Sequence, residues 1–348
     1  MPLRTTTIGA YPKPDYVQVP DWFRNRGRGR GTEAYTEFMR DADAAVEDSL
    51  VRATQEIVRE QVEAGIDIPS EGEIRRDNYI YYHCRHLDGF DFDNLIEKAM
   101  RNGAWTELVP QVAGPIRAGA AFLPQDWRIA QAVTDRPVKI TVPGTLTVTD
   151  SVADRHYGDA RKLAAELADA LNRELHALAE AGCRWIQIDE PLFARWPDQA
   201  LDHGIENLER AFHGLPESVT RAVHICCGYP DHLDQADYVK ADGSAYFTLA
   251  DALEDTSIQA VSIEDAHRHN DLSLLERFAS KAVIFGVIAI ARSRVETVAE
   301  IEARLRAALA HIDADRLIAA PDCGLGFLPR ETVRAKLANM TAAAKQVG

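Results

Sequence analysis

Short apolar runs alternate with longer segments of helical periodicity along most of the chain. Several of these runs are apolar at nearly every position, which is typical of strands that are buried on both faces of a sheet. Because repeated strand–helix units form parallel sheets, this order indicates an α/β protein. The candidate strands span residues 5–9, 66–69, 138–143, 185–189, 222–226, 260–264, 283–290 and 317–321.

The segments between these strands carry apolar side chains at intervals of three or four residues, as amphipathic helices do. One stripe runs from Leu163 to Leu178, a second from Val298 to Ile312, and a third covers residues 44–64. Their simplest interpretation is a set of helices that pack on the sheet. Eight strands with helices between them predict a closed (β/α)8 TIM barrel.

Two segments interrupt this alternation. Residues 10–43 contain proline, glycine and arginine with little periodicity, and residues 77–135 are aromatic and irregular. Long insertions after barrel strands tend to cover the mouth of the active site. We therefore predict one barrel domain spanning residues 1–348, with residues 77–135 as an insertion over the mouth at the C-terminal face.

Composition narrows the classes of function. The 348 residues are 46% hydrophobic, which suffices for a large core, and the net charge is −15. This charge argues against general binding of nucleic acid or of anionic membranes, because both reward clustered basic residues. No apolar run approaches the roughly 20 residues that cross a bilayer. The N-terminal residues lack a signal-peptide pattern, so we expect a cytoplasmic protein.

The five cysteines are an odd number with irregular spacing. In a reducing compartment this pattern favours buried thiols or metal ligands over disulfides. Cys183 and Cys227 are expected in the core, whereas Cys226 and Cys323 fall at the ends of predicted strands.

Residue types that bind metals gather at the ends of three predicted strands. His224 and Cys226 end one strand, Glu264 ends the next, and Cys323 follows the last. Catalytic residues of a barrel lie at the carboxyl ends of its strands, and residues two apart on a strand point the same way. Zinc accepts imidazole, carboxylate and thiolate, and two thiolates favour it over magnesium or calcium. The combination predicts a zinc site in the domain, although each residue alone is more often structural.

Acidic motifs follow two further strands. Asp189 and Glu190 are adjacent, so they face opposite ways; one would bind a substrate ammonium group while the other pairs with protein groups. The alternative for both is a structural ion pair. Glu73 lies in the charged segment PSEGEIRRDN after the second strand.

Three further motifs leave alternatives open. His83, Cys84 and His86 either form a second metal site or, with their aromatic neighbours, pack over the mouth. His267 orients a ligand, transfers a proton or lies at the surface. The run RNRGRGRG, residues 24–31, either attracts an anionic donor group or forms a solvated loop.

The metal-type residues carry a resemblance to a known family. The His-x-Cys pair, the glutamate in SIE and the cysteine in PDCGL, together with TTTIGAYP near the start, resemble the C-terminal catalytic half of cobalamin-independent methionine synthase. The resemblance extends over most of the chain and implies a (β/α)8 barrel with zinc. Full-length enzymes carry a second, N-terminal barrel, so this chain is similar to a single-barrel, or core, member.

The resemblance also implies contacts to homocysteine. They would involve Ile8, Gly9 and Ala10 after the first strand, together with Glu73 and Asp189, which would face the ammonium group. Ala10 replaces a serine of the family, so a side-chain hydroxyl contact is lost while a backbone contact can persist.

The donor side departs from the family. Asp150 stands where the family has a tryptophan near the folate, and the family's Ser-Arg-Cys segment has no counterpart around residues 104–108. In AIARSR, Ala291 replaces a histidine of the family that serves proton transfer. Protonation of the leaving group would then come from water or His267, unless the methyl donor needs no protonation.

These observations predict a zinc-dependent methyltransferase that makes methionine from homocysteine. The methyl donor would be methyltetrahydrofolate or a methylated corrinoid (cobamide), with a corrinoid or donor protein as a possible partner. One alternative is a related zinc thiol alkyltransferase with an acceptor of the coenzyme M type, although Asp189 and Glu73 suit an amino acid better than a sulfonate. The others are a non-catalytic zinc or thiol-metabolite binding protein and a metal-free decarboxylase.

Overall fold

The computed structural model describes residues 2–25, 31–100, 105–230, 232–235 and 238–348. Ten strands form two sheets within these residues: β1 Arg4–Thr5, β2 Leu87–Met100, β3 Trp105–Ala118, β4 Lys139–Pro143, β5 Ala153–Asp154, β6 Trp185–Asp189, β7 Thr220–Ile225, β8 Ala260–Ile263, β9 Ala282–Ile288 and β10 Leu317–Pro321. The larger sheet is parallel throughout and has the order β1-β10-β9-β8-β7-β6-β4.

Residues 66–70 connect the two edges of this sheet. Thr6, directly after β1, forms a parallel bridge with Ile68, and Ser70 forms one with Lys139 of β4. The segment therefore occupies the second of eight strand positions, and the sheet curls into a barrel. The predicted (β/α)8 TIM barrel is confirmed, with a second strand that contributes bridges instead of a full ladder.

Helices connect the strands and surround the barrel. No helix that the structure describes is long and apolar enough to cross a membrane. The helices are α1 Trp22–Asn25, α2 Gly31–Arg40, α3 Ala44–Glu63, α4 Tyr79–Cys84, α5 Leu123–Gln131, α6 Thr145–Ser151, α7 Ala160–Ala181, α8 Pro191–Arg195, α9 Pro197–Gln199, α10 Ile205–Phe212, α11 Ser244–Glu254, α12 Val298–Ala308 and α13 Arg330–Val347, with a π turn at Ala200–Gly204 and a 3-10 turn at Leu272–Arg277.

The sequence of α7 explains both its ends and its packing. Asp159 caps the first turn by accepting hydrogen bonds from two backbone N–H groups, and Gly182 ends the helix with a φ of +113°, a conformation that glycine adopts most easily. Leu163, Leu175 and Leu178 of the predicted stripe are fully buried. The period of the apolar positions therefore predicted this helix correctly.

Alternation along the strands sorts side chains between the barrel interior and the helix-facing core. In β6, Ile186 and Ile188 lie in the helix-facing core, whereas Trp185 belongs to an apolar cluster formed by alternate strand residues. Polar side chains continue the interior face toward the carboxyl ends of the strands, where period two places them on one wall. They include Gln187, Asp189, His224 and Ser262, and the side chain of Lys139, the first residue of β4, reaches them from below; all five are buried.

Residues 77–135 contain more regular structure than their sequence indicates. β2 and β3 form an antiparallel hairpin, and β5 pairs with β3 in parallel. Val109 and Val112 pack with Leu163 and Leu167 of α7. The expectation of an irregular segment is wrong, because register shifts within the hairpin interrupt the two-residue period by which a strand is recognised.

The N terminus of α6 is held by a carboxylate from another part of the chain. Glu190 accepts hydrogen bonds from the backbone N–H of Leu146 at 3.0 Å, from that of Thr147 at 3.1 Å and from the Thr147 hydroxyl at 2.7 Å. Gly144 precedes the helix, and a Cβ at this position would overlap the Glu190 carboxylate. The fold therefore needs both the glycine and the buried acid at this junction.

We expect Gly144→Ala to lower the free energy of unfolding by about 1–3 kcal/mol, the usual cost of forcing extra atoms into a packed site. Glu190 must move, and the N–H groups at the start of α6 then lose their acceptors. Urea unfolding followed by circular dichroism measures the loss. Gly31→Ala is the control, because its Cβ would meet no atom of the described residues within 4 Å. Equal losses in both variants would contradict this explanation.

Candidate functional site

Three of the four predicted metal ligands meet at the mouth of the barrel. One ligand atom from each of His224, Cys226 and Cys323 lies within 4.8 Å of the other two. His224 Nε2 is 3.4 Å from Cys323 Sγ. His224 and Cys226 are buried, and Cys323 is partly exposed. Residues far apart in the sequence thus form one compact group of sulfur and nitrogen donors.

The strands determine the orientation of this group. His224 lies on the interior face of β7, whereas the neighbouring Ile225 packs in the helix-facing core. Ser262, on the adjacent strand β8, places its Oγ 2.8 Å from His224 Nδ1. This contact leaves Nε2 directed toward the thiols. Such an outer partner fixes the ring orientation of metal-binding histidines.

The thiols influence one another. A hydrogen bond with Cys323 and the neighbouring His224 hold the pKa of the Cys226 thiol well below its usual value, although burial opposes this. The same hydrogen bond raises the pKa of the Cys323 thiol. Thiolates are the metal-binding form of cysteine, so the site favours one anionic sulfur before any ion binds. Two sulfur donors and an imidazole at this spacing fit zinc.

Glu264 lies beside the three donors. Its carboxylate is buried and accepts a hydrogen bond from Lys240 Nζ. Burial raises the pKa of Glu264 to about 7, and the positive charge of Lys240 opposes this rise. Among the described residues, the group with metal-binding spacing does not include this carboxylate. Its role as the fourth ligand stays a prediction.

Glu73 is held close to the backbone of the first predicted strand. A Cβ on Gly9 would lie 2.6 Å from Glu73 Oε1, so a larger residue there would displace the Glu73 carboxylate. Glu73 Oε1 accepts a hydrogen bond from Thr141 Oγ1 at 2.8 Å and lies 3.4 Å from Arg76 Nη1. The φ of Glu73 is +57°, a left-handed conformation that is uncommon for residues other than glycine and that often marks functional sites.

The two acids of the IDEP motif separate as their adjacency predicts. Asp189 Oδ1 accepts a hydrogen bond from Gln187 Nε2 at 2.7 Å on the interior wall, whereas Glu190 holds α6. Burial raises the pKa of Asp189 to about 7, while the charge of His224 lowers it. Glu190 is therefore the member that pairs with protein groups. Its substrate contact, like that of Asp189, stays a prediction.

Residues 8–10 form part of the same mouth. The carbonyl oxygens of residues 8, 9 and 10 accept hydrogen bonds from Gln187 Nε2, Ser70 Oγ and the Leu325 backbone N–H, in that order. These bonds tie the segment to three other parts of the barrel. The backbone contact to substrate that was predicted for Ile8, Gly9 and Ala10 stays a prediction.

A pocket that the sequence did not reveal opens beside Glu73. Ala10, Trp22, Phe23 and Tyr79 also line it. Tyr79 begins α4, and its pKa lies well above the usual value because of burial and the nearby charges of Asp189 and the site cysteines. The aromatic segment around residue 79 was a signal for packing at the mouth, but only the fold brings Trp22 and Tyr79 together.

His267 pairs with Asp322, the residue before Cys323. Its Nδ1 is 2.8 Å from Asp322 Oδ2, and its side chain is buried. Within the described part of the chain, Nε2 has no hydrogen-bond partner. The surface alternative is therefore wrong, because this side chain is enclosed. A catalytic role stays a prediction.

The histidines of the YYHCRH segment contact backbone and aromatic groups. His83 Nδ1 contacts the Tyr79 carbonyl at 2.8 Å, and His86 stacks on Phe122 with 3.9 Å between ring centroids. With Cys84 they form no metal-binding group among the described residues, so aromatic packing is the correct alternative. The arginine run lies outside the residues whose side chains are described, as do residues 104 and 105 of the segment 104–108.

Fold and site together define a (β/α)8 barrel with a thiol- and imidazole-lined metal site at its mouth. The family described as "Cobalamin-independent synthase, Catalytic domain" matches residues 3–346. The chain belongs to this family, the cobalamin-independent methionine synthases.

Individual relatives agree with this assignment. A methionine synthase of Thermococcus kodakarensis is 30% identical over 339 residues, covering 97% of this chain and 91% of that protein. One of Pyrococcus abyssi is 28% identical, covering 99% and 93%. The B12-independent methionine synthase of Shewanella sp. W3-18-1, solved in complex with selenomethionine, has a TM-score of 0.87 and 31% identity, covering 100% of this chain and 98% of that one.

We expect Cys226→Ala to weaken zinc binding by more than the roughly 10–100-fold that loss of an outer partner costs. It removes a thiolate donor from the group. Cys227→Ala is the matched control, because the adjacent Cys227 packs in the helix-facing core. Zinc content after dialysis and competition with a chelating dye measure both variants. Full zinc retention by Cys226→Ala would refute its assignment as a ligand.

Proposed function

We propose that the protein transfers a methyl group to the thiol of homocysteine and forms methionine, using zinc held by His224, Cys226, Cys323 and Glu264. The observation that carries the proposal is the group of two thiols and one imidazole within 4.8 Å at the barrel mouth. The names of the relatives support the substrate, and the selenomethionine complex of the Shewanella protein supports an amino-acid ligand.

The chain's own groups prepare the site for a thiol. Zinc bound there would act as a Lewis acid that keeps a substrate thiol in its thiolate form at neutral pH. Ser262 holds the imidazole of His224 in its binding orientation. The surrounding burial excludes water, which strengthens each electrostatic interaction within the site.

We propose that two carboxylates orient the amino-acid part of the substrate. Asp189 and Glu73 both lie at the mouth, and each keeps one oxygen engaged by protein donors. Their negative charge suits an ammonium group, whereas the sulfonate of a coenzyme M type acceptor would be repelled. Holding the substrate at both its thiol and its ammonium ends lowers the entropic cost of reaching the reactive geometry.

The donor side is where this chain differs from its family's pattern. Ala291 is buried and its side chain has no ionisable group, so this position supplies no proton. We assign proton transfer to His267, whose Nε2 is enclosed. The donor is methyltetrahydrofolate or a methylated corrinoid, and a corrinoid protein is a candidate partner for the second.

The remaining predictions concern the whole chain. We propose that residues 1–348 act as one zinc-containing barrel domain and that residues 77–135 cover its mouth, supported by the presence of Tyr79 in the pocket. We also propose a cytoplasmic location. The described cysteines are free thiols, as a reducing compartment requires.

A methionine-formation assay tests the proposal. Zinc-loaded protein is incubated with homocysteine and either methyltetrahydrofolate or methylcobalamin, and methionine is quantified. We expect methionine with one of the two donors and none from Cys226→Ala, because the thiol then lacks its binding site.

The same assay separates the alternatives. Alkylation of 2-mercaptoethanesulfonate but not of homocysteine would identify a thiol alkyltransferase with another acceptor. Zinc binding without alkylation of any thiol, with either donor, would contradict an enzymatic role and favour a zinc or thiol-metabolite binding protein.

A further inference from the structure

A chain of hydrogen bonds runs through the barrel interior beneath the mouth. Lys139 Nζ donates to Gln187 Oε1 at 2.6 Å. Gln187 Nε2 donates to Asp189 Oδ1 at 2.7 Å and to the Ile8 carbonyl at 3.1 Å. Lys139 and Gln187 are fully buried. One amide thus connects a buried ammonium group with two of the predicted substrate-binding positions.

Lys139 determines which way this amide faces. An ammonium group only donates hydrogen bonds, so the Gln187 carbonyl oxygen must face Lys139 and its NH2 group must face Asp189. A flipped amide would place NH2 against the ammonium and its oxygen against two other acceptors. Asp189 Oδ1 is consequently held by Gln187, and Oδ2 is the oxygen available to a ligand.

Stability alone does not account for a lysine here. Replacing buried charged groups by apolar side chains of similar volume is often neutral or stabilising. Lys336, another fully buried lysine, forms a salt bridge with Glu296, whereas Lys139 bonds to a neutral amide. Burial lowers the pKa of Lys139 to about 7, and the charges of Asp189 and Glu71 oppose this shift. The hydrogen bonds from Lys139 to Gln187 and from Gln187 to Asp189 therefore connect the lysine to the acid.

We propose that Lys139, acting through Gln187, is a positioning residue that holds Asp189 and the Ile8 carbonyl in place for the ammonium group of the substrate. The inference rests on the proposed function, since it assigns an amino-acid thiol as the ligand. It adds two residues from the barrel interior, neither of which touches the reacting sulfur.

Binding of two thiols to zinc-loaded protein tests this role without any methyl donor. Homocysteine and 4-mercaptobutanoate share the thiol and the carboxylate, but only homocysteine has an ammonium group. We expect Lys139→Met to raise the Kd of homocysteine by about tenfold, the effect of losing one charge-assisted hydrogen bond. The Kd of 4-mercaptobutanoate and the zinc content should stay unchanged. Asp189→Asn provides the reference loss of discrimination.

A second variant keeps the test valid if Lys139→Met does not fold because it leaves Gln187 Oε1 without its donor. Lys139→Met/Gln187→Met removes both partners and leaves an apolar pair. Because Lys139 acts through Gln187, the double variant should lose no more affinity for homocysteine than Gln187→Met alone. Lys281→Met is the control, because this buried lysine donates to the Thr256 carbonyl at the opposite end of the barrel.

The outcomes are distinct. A selective loss of homocysteine affinity in the Lys139 and Gln187 variants supports the positioning role. Equal weakening of both thiols, or no change in either, overturns it and leaves the proposed function intact. Wild-type protein that binds neither thiol overturns the proposed function and this inference with it.

Discussion

The closed parallel barrel imposes one constraint on everything at its mouth. Its strands direct alternate side chains inward, so the interior is filled by residues two positions apart. Near the amino ends these residues form an apolar cluster that includes Trp185, Ala222 and Ile284. Toward the carboxyl ends the inward-facing residues are polar, and buried polar groups need hydrogen-bond partners. In this chain the metal-type residues and the acids at the mouth supply partners for one another, together with the hydrogen bonds that support them.

Much of the fold followed from the sequence because strand runs and helix stripes have distinct periods. The bounds of β6 and β10 agree with the predicted residues 185–189 and 317–321. The second strand was expected as a ladder but forms only bridges, and the β2–β3 hairpin was missed where register shifts interrupt its alternation. The period of apolar positions thus identifies strands and helices that are regular along their length. It does not identify strands whose pairing is interrupted by register shifts.

The site was predictable in part for a similar reason. His224, Cys226 and Cys323 are rare residue types at strand ends, so their combination was visible. Lys139 lies within a largely apolar strand, and its contact with Gln187, which shares a strand face with Asp189, appears only in the folded chain. Trp22 and Tyr79 come from separate segments that only the folded chain brings together, and the contact between Glu264 and Lys240 likewise needed the structure.

The most direct test of the zinc–thiol centre is X-ray absorption at the zinc edge, with and without homocysteine. The site offers two cysteine sulfurs and one histidine nitrogen, so we expect two sulfur ligands in the free protein and a third when homocysteine is added. An unchanged sulfur count with homocysteine bound would contradict it, because the substrate thiol would then lie elsewhere.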